Sequence, residues 1–323
     1  MGVDNIMKAD EYAIRTENLV KTYNHDITAL DGVSIKIKKG DVVGCLGPNG
    51  AGKTTTIKIL TNLIKPTSGH AYINGIDVNK NPKEALKCVG ALIEVPGVYE
   101  YLTPNEMLTY FGKVRGMDKK KIDRRIKEVL QLVKLSDWEH KKTGSFSTGM
   151  LRRLVIAQSL LHDPEILILD EPVIGLDPKG IKDIRDIIKQ LQRENKTIFL
   201  SSHLLHEVSE TCNSVILLDK GKVVACNTID NLRNMSKIQK IDIEFLKPLT
   251  KEQIAGIKSI YLIRNFDIVD GHLRIDFDGK RDTGSRILSR LVSLGLEIVS
   301  YHPASATLED VYVSVMGKES GVR

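Results

Sequence analysis

The spacing of apolar positions changes character along the chain. Near the start, "AIRTENLVKTYN" and "VSIKIKKG" alternate apolar and polar residues, which predicts half-buried strands. "DVVGCLG" is a continuous apolar run ending in glycine and predicts a fully buried strand. It feeds "PNGAGKTTTIKILTNL", where Ile57, Leu60 and Leu63 recur at helical spacing, and "GHAYINGIDV" predicts a hairpin-like strand pair. From about 97 to 160 the spacing is helical. "DRRIKEVLQLVKLSDW" places Ile126, Val129, Leu130 and Val133 on one face and leaves the Lys and Arg residues around 119–127 as the solvated face. Two further buried strands, "EILILDEP" and "KTIFLSSH", flank the amphipathic "IKDIRDIIKQLQREN", and "SVILLDKGKVVA" predicts a third strand. Strand, helix and strand in that order imply parallel pairing through crossovers.

The polar stretch "DNLRNMSKIQK" predicts a domain boundary, with one domain over 1–234 and a smaller one over 235–323. Beyond it, "IDIEFL", a short helix, "LIRNFDIV", "HLRIDFDG", "SRILSRLVSLG" and "LEIVSYHP" follow the order β-α-β-β-α-β, a ferredoxin-like α+β layout. The final "TLEDVYVSVMGK" has helical spacing. The expected fold class is therefore α/β: a core with a mixed and parallel sheet, a helical insert over about 97–160, and a small C-terminal α+β domain.

Composition narrows the function classes without choosing one. The 323 residues are 41% hydrophobic and 27% charged, as in soluble globular proteins. No apolar run approaches the ~20 residues that span a bilayer. The polar start "MGVDNIMKADEYAIR" has no apolar signal core, and Ile6 stands where a myristoylation motif requires Ser or Thr, so a cytoplasmic location is expected. Cys45, Cys88, Cys212 and Cys226 form no C-x-x-C pair and are expected to be reduced and non-ligating. The net charge of +6 comes without a basic stripe interleaved with aromatics, so no nucleic-acid partner is expected.

Chemistry enters with "GPNGAGKT", which matches G-x-x-x-x-G-K-[ST] from Gly47 to Thr54. Such a loop exposes successive backbone N–H groups to phosphates, and the helix behind it adds its positive end. The candidate nucleotide-binding residues are Gly47, Pro48, Asn49, Gly50, Ala51, Gly52, Lys53, Thr54 and Thr55. Lys53 would reach the β and γ phosphates and Thr54 would ligate Mg²⁺. "ILILDEP" supplies Asp170 for the Mg²⁺ shell and Glu171 as general base for the attacking water. A fortuitous glycine turn and an acidic strand-end turn are the alternatives.

At this point the chain resembles the ATP-binding subunits of ABC transporters, over about residues 13–230. The decisive stretch is "SFSTGMLRRLVIAQSLLHDPEILILDEP". "FSTGM" at Phe146–Met150 stands where that family has LSGGQ; Ser147 and Gly149 are kept, and Thr148 and Met150 replace Gly and Gln. The resemblance implies that Ser147 and Gly149 contact the γ-phosphate held by the opposite subunit; a plain helix N-cap at Ser147 is compatible with that. It also implies that Tyr23 stacks on adenine, that Asp177 of "GLDP" belongs to the loop crossing the dimer interface, and that His203 touches the γ-phosphate. A strand-packing role is the alternative for Tyr23, and His206 is expected to be an ordinary helix residue.

Glu94 stands where most of the family carries glutamine touching Mg²⁺ and the attacking water. Glutamate there, and the C-terminal "TLEDVYVSVMG", resemble the ATPases of exporters conferring lantibiotic immunity or bacitracin-type resistance. The expected catalytic residues are Glu171, His203 and Glu94, and the expected metal residues Thr54, Glu94 and Asp170; a turn without metal contact is the alternative at Glu94. The implied protein is an ATPase that dimerises around two MgATP, as a homodimer or pseudo-dimer. It would sit at the cytoplasmic face of the membrane and drive separate transmembrane subunits that export an antimicrobial peptide or antibiotic. The alternatives are a soluble ATPase of the same family acting on ribosomes or DNA, and an ATP-binding regulator without turnover.

Overall fold

The structure, a computed structural model, describes residues 11–24, 27–94, 97–235, 239–269, 271–304 and 312. Two compact units divide the chain, Met1–Asn227 and Thr228–Arg323.

In the first unit the alternating segments become β1 (Tyr12–Tyr23), β2 (Ile27–Val33) and β3 (Lys36–Lys38), with β1 pairing antiparallel to both others. The continuous apolar run becomes β4 (Val42–Leu46), all of it buried, and α1 (Lys53–Leu60) follows the glycine loop. β5 (Ser68–Ile73) and β6 (Ile76–Asp77) complete the first sheet, in the order β2-β1-β5-β6. Asn74 and Gly75, at φ 46° and 79°, turn one into the other, as a two-residue hairpin requires.

A short helix α2 (Pro82–Ala85) leads into β7 (Val89–Leu92), and the helical insert comes next as α3 (Pro104–Val114), α4 (Lys119–Leu132) and α5 (Thr148–Leu160). Thr103 and Glu106 start α3 with reciprocal side-chain to backbone bonds, and Pro104 sits at its first position. On α4 the apolar stripe faces inward: Ile126, Val129, Leu130 and Val133 are all buried. The chain then runs through β8 (Ile166–Leu169), α6 (Pro178–Arg193), β9 (Thr197–Ser202), α7 (Leu205–Thr211), β10 (Ser214–Asp219) and β11 (Lys222–Thr228).

The second sheet has the order β11-β10-β4-β9-β8-β7, and every pairing from β10 to β7 is parallel. Its central strands are apolar without alternation because both faces are covered. Leu167, Ile168 and Leu169 are each 0% exposed, and burying a side chain of this size contributes about 1.5–3 kcal/mol. Parallel pairing has a functional consequence. Leu46 is opposite Ser202, Leu169 opposite Leu200 and Leu92 opposite Leu169, so the residues that follow β4, β8, β9 and β7 emerge at one edge of the sheet.

"SVILLDKGKVVA" departs from the expected single strand. Lys220 and Gly221 have φ 44° and 79° and divide it into β10 and β11. The polar break Asp219–Lys222 between two apolar runs marks this two-residue turn, with Lys-Gly at its centre. Among the described residues no helix is long and apolar enough to cross a membrane.

In the second unit the expected boundary stretch is partly helical: α8 (Ile229–Met235) buries Ile229 and Leu232. β12 (Gln239–Phe245), α9 (Lys251–Lys258), β13 (Asn265–Val269), β14 (His272–Phe277), α10 (Arg281–Ser293) and β15 (Ile298–Ala304) then follow the β-α-β-β-α-β order. The sheet order is β13-β14-β12-β15 with every pairing antiparallel, which is the ferredoxin-like arrangement. Ile241, Ile243, Leu273, Ile275, Ile287 and Leu291 fill its core. The helix expected over "TLEDVYVSVMGK" lies outside the described residues except at Tyr312.

Candidate functional site: a phosphate loop at the carboxyl edge of a parallel sheet

The loop between β4 and α1 is shaped by its glycines. A Cβ at Gly47 would sit 2.3 Å from the Leu218 carbonyl oxygen, and one at Gly52, where φ is 105°, would sit 2.7 Å from that of Ala29. Neither position admits a side chain. Gly50, at φ 82°, faces open space instead. Ala51 anchors the loop, its N–H donating to the Pro48 carbonyl and its own carbonyl accepting from Gly221. The first turn bond at the head of α1 runs from Thr56 N to Gly52 O. The N–H groups of Lys53, Thr54 and Thr55 stand ahead of it, at the positive end of the helix.

Lys53 is buried under the loop. Its ammonium donates to the carbonyls of Gly47 (2.7 Å) and Pro48 (3.1 Å) and lies 3.8 Å from a Glu171 carboxylate oxygen. A chain of polar contacts runs on from there. The Thr54 hydroxyl donates to both oxygens of Asp170, at 3.0 and 3.2 Å. The Ser201 hydroxyl donates to Asp170 Oδ1 at 2.5 Å and accepts from the Glu171 N–H at 2.8 Å. The Glu171 carboxylate is within 2.9 Å of His203 Nδ1. Asp170 is 5% exposed, and its backbone N–H donates to the Leu92 carbonyl. Glu171 itself has φ 45°, a conformation uncommon for a residue with a side chain and costing about 1–3 kcal/mol where it occurs.

Ser201 is the site residue that sequence reasoning missed. Its signal was available: in parallel β8 and β9, Leu169 lies opposite Leu200, so the next residue of β9 must lie beside the carboxylates that end β8.

Lys53, Thr54, Glu171 and His203 border a cleft of about 530 Å³. Asn49 to Thr55, Glu171, Ile174 and His203 line it together with Tyr23, Ile27, Thr28 and Ala29. The Tyr23 ring is partly exposed, with the Lys21 ammonium 5.1 Å from its centroid. The cleft thus pairs a flat aromatic face with a cationic, N–H-rich loop and a carboxylate–imidazole pair. That combination suits a planar base carrying a phosphate chain.

The donor set also fits Mg²⁺. Among the described residues no three His, Cys, Asp or Glu side chains converge on a common point. A metal here would have the Asp170 carboxylate and the Thr54 hydroxyl, whose proton is directed at Asp170 and whose lone pairs remain. Phosphate and water would complete the shell, as Mg²⁺ prefers.

Asp170, Gly47 and Pro48 stand behind the lining through their contacts with Thr54 and Lys53, whereas Glu94, Ser147, Gly149 and Asp177 are not brought to this cleft. Glu94, at φ 59° beyond β7, directs its carboxylate to Lys58 Nζ at 2.6 Å and is 64% exposed. The expected grouping with Thr54 and Asp170 is therefore not adopted: Lys58, one helical turn beyond Thr54, offers Glu94 a full positive charge within direct reach. Ser147 caps α5, its hydroxyl accepting from Met150 N at 3.3 Å, and a Cβ at Gly149 would meet only that hydroxyl, at 4.0 Å. Asp177 caps α6, accepting from Gly180 N at 2.9 Å. Ser147 and Asp177 are exposed, and neither they nor Gly149 line the cleft.

Comparison with known proteins agrees with this geometry. Residues 30–174 match the family model described as ABC transporter. The chain is 38% identical over 315 residues to the bacitracin transport ATP-binding protein BcrA of Bacillus licheniformis, covering 94% of this chain and 97% of that one. Among solved structures it is similar to an ATP-binding subunit of an ABC transporter, with TM-score 0.62 and 30% identity, over 69% of this chain and 92% of the other. It is also similar to a dimeric ATP-binding cassette in a post-hydrolysis state bound to ADP and Pi, with TM-score 0.60 and 28% identity, over 67% of this chain and 98% of that one.

Proposed function

The chain belongs to the ATP-binding proteins of ABC transporters, and from that premise we propose that it hydrolyses MgATP in the phosphate-loop cleft, as one of two copies that drive separate membrane subunits exporting an antimicrobial peptide or antibiotic. The observation that carries the catalytic part is the unbroken run of contacts Thr54–Asp170–Ser201–Glu171–His203 at the edge of the cleft. Bound Mg²⁺ would supply charge neutralisation on the transferring phosphoryl group. Lys53 and the loop N–H groups hold the phosphates, and Tyr23 offers its ring to the base. Glu171 accepts the proton of the attacking water, and His203 fixes the orientation of that carboxylate.

The dimer is supported by what one copy leaves outward. Ser147 and Gly149 stand at the start of α5, away from their own cleft, where N–H groups suit an anion presented by a second copy, and Asp177 is exposed at the start of α6. The dimeric relative bound to ADP and Pi supports the same arrangement. A surface for the membrane subunits lies at the start of the helical insert: Tyr99, Tyr101 and Tyr110 are exposed and packed ring to ring, with Val114 exposed nearby on α3. Contiguous exposed apolar side chains of this kind mark interaction surfaces. The cargo class rests on the bacitracin transport relative.

Copurification with the membrane proteins encoded beside it, followed by growth of cells expressing the complex against a panel of bacitracin-like and lantibiotic peptides, tests the proposal. Protection that requires Glu171 is the expected result. A complex that turns over ATP and protects against none of the peptides overturns the cargo, and a chain that purifies with ribosomes or DNA overturns the transporter role.

A further inference from the structure

We propose that the basic outer face of α4, with the end of α3 that leads into it, rests on the headgroups of anionic phospholipids beside the membrane subunits. The proposal depends on reading the chain as a membrane-associated ATPase.

The net charge of the chain is gathered in this one place. Residues 113–127 hold eight Lys and Arg against two Asp, a net +6 equal to that of the whole chain, so the remainder is neutral overall. Two of the eight are turned inward: Arg115 donates to the Val89 carbonyl at 3.2 Å and Arg125 to the Leu160 carbonyl at 2.8 Å. Lys113, Lys119, Lys120, Lys121, Arg124 and Lys127 are exposed, and among the described residues the five lysines make no ion pair. Two neighbouring acids are already occupied. Asp118 caps α4 by accepting from Lys121 N at 2.9 Å, and Glu128 is held by Arg125 at 2.6 Å with Arg124 at 3.6 Å. Lys120, Arg124 and Lys127 recur at i, i+4 and i+7, a stripe that no acid interrupts, on the side of α4 away from buried Ile122, Ile126 and Val129.

Two observations set this face apart from an ordinary solvated one. The first turn of α4 holds three lysines and no acid, although the positive end of a helix favours acids and disfavours cations. Anions from outside the chain would offset that charge. Exposed apolar groups also adjoin the lysines: Tyr110 is 50% and Val114 67% exposed, one turn apart on α3 with Lys113 between them. A Cβ at Gly112 would sit 2.7 Å from the Ile122 side chain, so α3 and α4 pack directly and carry these groups together. Tyr110 and Val114 belong to the surface that meets the membrane subunits, which brings the lysines to the bilayer holding those subunits. Tyrosine suits the headgroup level of a bilayer, and clustered Lys and Arg suit its anionic phosphates. α4 has no aromatic side chain on which a base could stack, which favours a bilayer over a nucleic acid.

The test is co-sedimentation of the full chain with vesicles of equal parts phosphatidylglycerol and phosphatidylcholine, against vesicles of phosphatidylcholine alone. The wild type is expected to partition onto the anionic vesicles only, and molar salt, which shortens the screening length to about 3 Å, should release it. Lys120→Gln/Arg124→Gln/Lys127→Gln is expected to lower the partitioning by roughly ten- to a hundredfold. Lys251→Gln/Lys258→Gln/Arg264→Gln removes the same charge from exposed positions of the second unit and is expected to stay within about twofold of wild type. MgATP turnover in solution should be unchanged in both and reports that they fold; should the first variant lose it, Lys120→Gln/Lys127→Gln takes its place. Equal losses in the two triple variants would reduce the effect to net charge and overturn the proposal. So would equal partitioning onto neutral vesicles, or binding of the wild type to poly(U) RNA in place of the anionic vesicles. A wild type that hydrolyses MgATP and stays off anionic vesicles overturns the lipid contact and leaves the ATPase reading standing; absence of turnover in the wild type overturns that reading instead.

Discussion

Two parts of the first unit carry expected nucleotide contacts, and they are built in opposite ways. Around the loop, Lys53, Thr54, Asp170, Ser201, Glu171 and His203 are each other's partners, on segments that leave one edge of a buried parallel sheet. On the helical insert and α6, Ser147 and Asp177 bond, among the described residues, to the first turn of their own helices. The first arrangement is held in place by the core beneath it. The second is held by local caps and faces outward. A site of the first kind is complete within one chain, and a site of the second kind acts only on what another surface brings to it.

Breaking the first part should have the largest effect. Lys53→Ala removes the cation beneath the loop, and each hydrogen bond to a charged group contributes about 1.5–3 kcal/mol. Binding of ATP, measured by calorimetry, is expected to weaken by roughly a hundredfold or more; unchanged affinity would show that phosphates do not sit on this loop. Next, Glu171→Gln keeps the contacts that bind and removes the base, so turnover should fall about 10²- to 10⁴-fold while binding persists. Size-exclusion chromatography with MgATP should then show a dimer that accumulates. Normal turnover would move the base elsewhere in the cleft.

Two smaller effects sharpen the contrast. Ser201→Ala deletes the hydroxyl that joins Asp170 to the Glu171 backbone; a lost bond to a carboxylate of about 1.5–3 kcal/mol corresponds to turnover lower by roughly ten- to a hundredfold. Turnover as in wild type would mean that the bridge does not position the carboxylates. Ser147→Ala removes a helix cap worth about 1 kcal/mol. It should leave nucleotide affinity of the single chain unchanged and weaken ATP-dependent dimerisation, seen by light scattering. A variant with weakened single-chain affinity would place Ser147 in its own cleft and erase the difference between the two parts.

Much of this was legible before any coordinates. The unbroken apolar runs became β4, β8 and β9 because strands covered on both faces have no polar side to encode. The stripe of α4 became its buried face because a helix against a core repeats every 3.6 residues. The loop Gly47–Thr54 and the Asp170–Glu171 pair could be recognised because phosphate chemistry demands those residue types at contiguous positions. The order of elements in the second unit was enough to specify its antiparallel sheet.

What only the tertiary structure decided lies between positions far apart in the chain. Ser201 reaches Asp170 across parallel strands, and Glu94 pairs with Lys58 on a helix that no local pattern connects to it. The turn at Lys220 and Gly221, by contrast, sits on a polar break, Asp219 to Lys222, that the local pattern does mark. Periodicity and contiguous motifs record burial and backbone conformation, which are local. The partner of a charged side chain is chosen by distance in space, and an exposed carboxylate at the end of a strand goes to whichever cation the fold brings within reach.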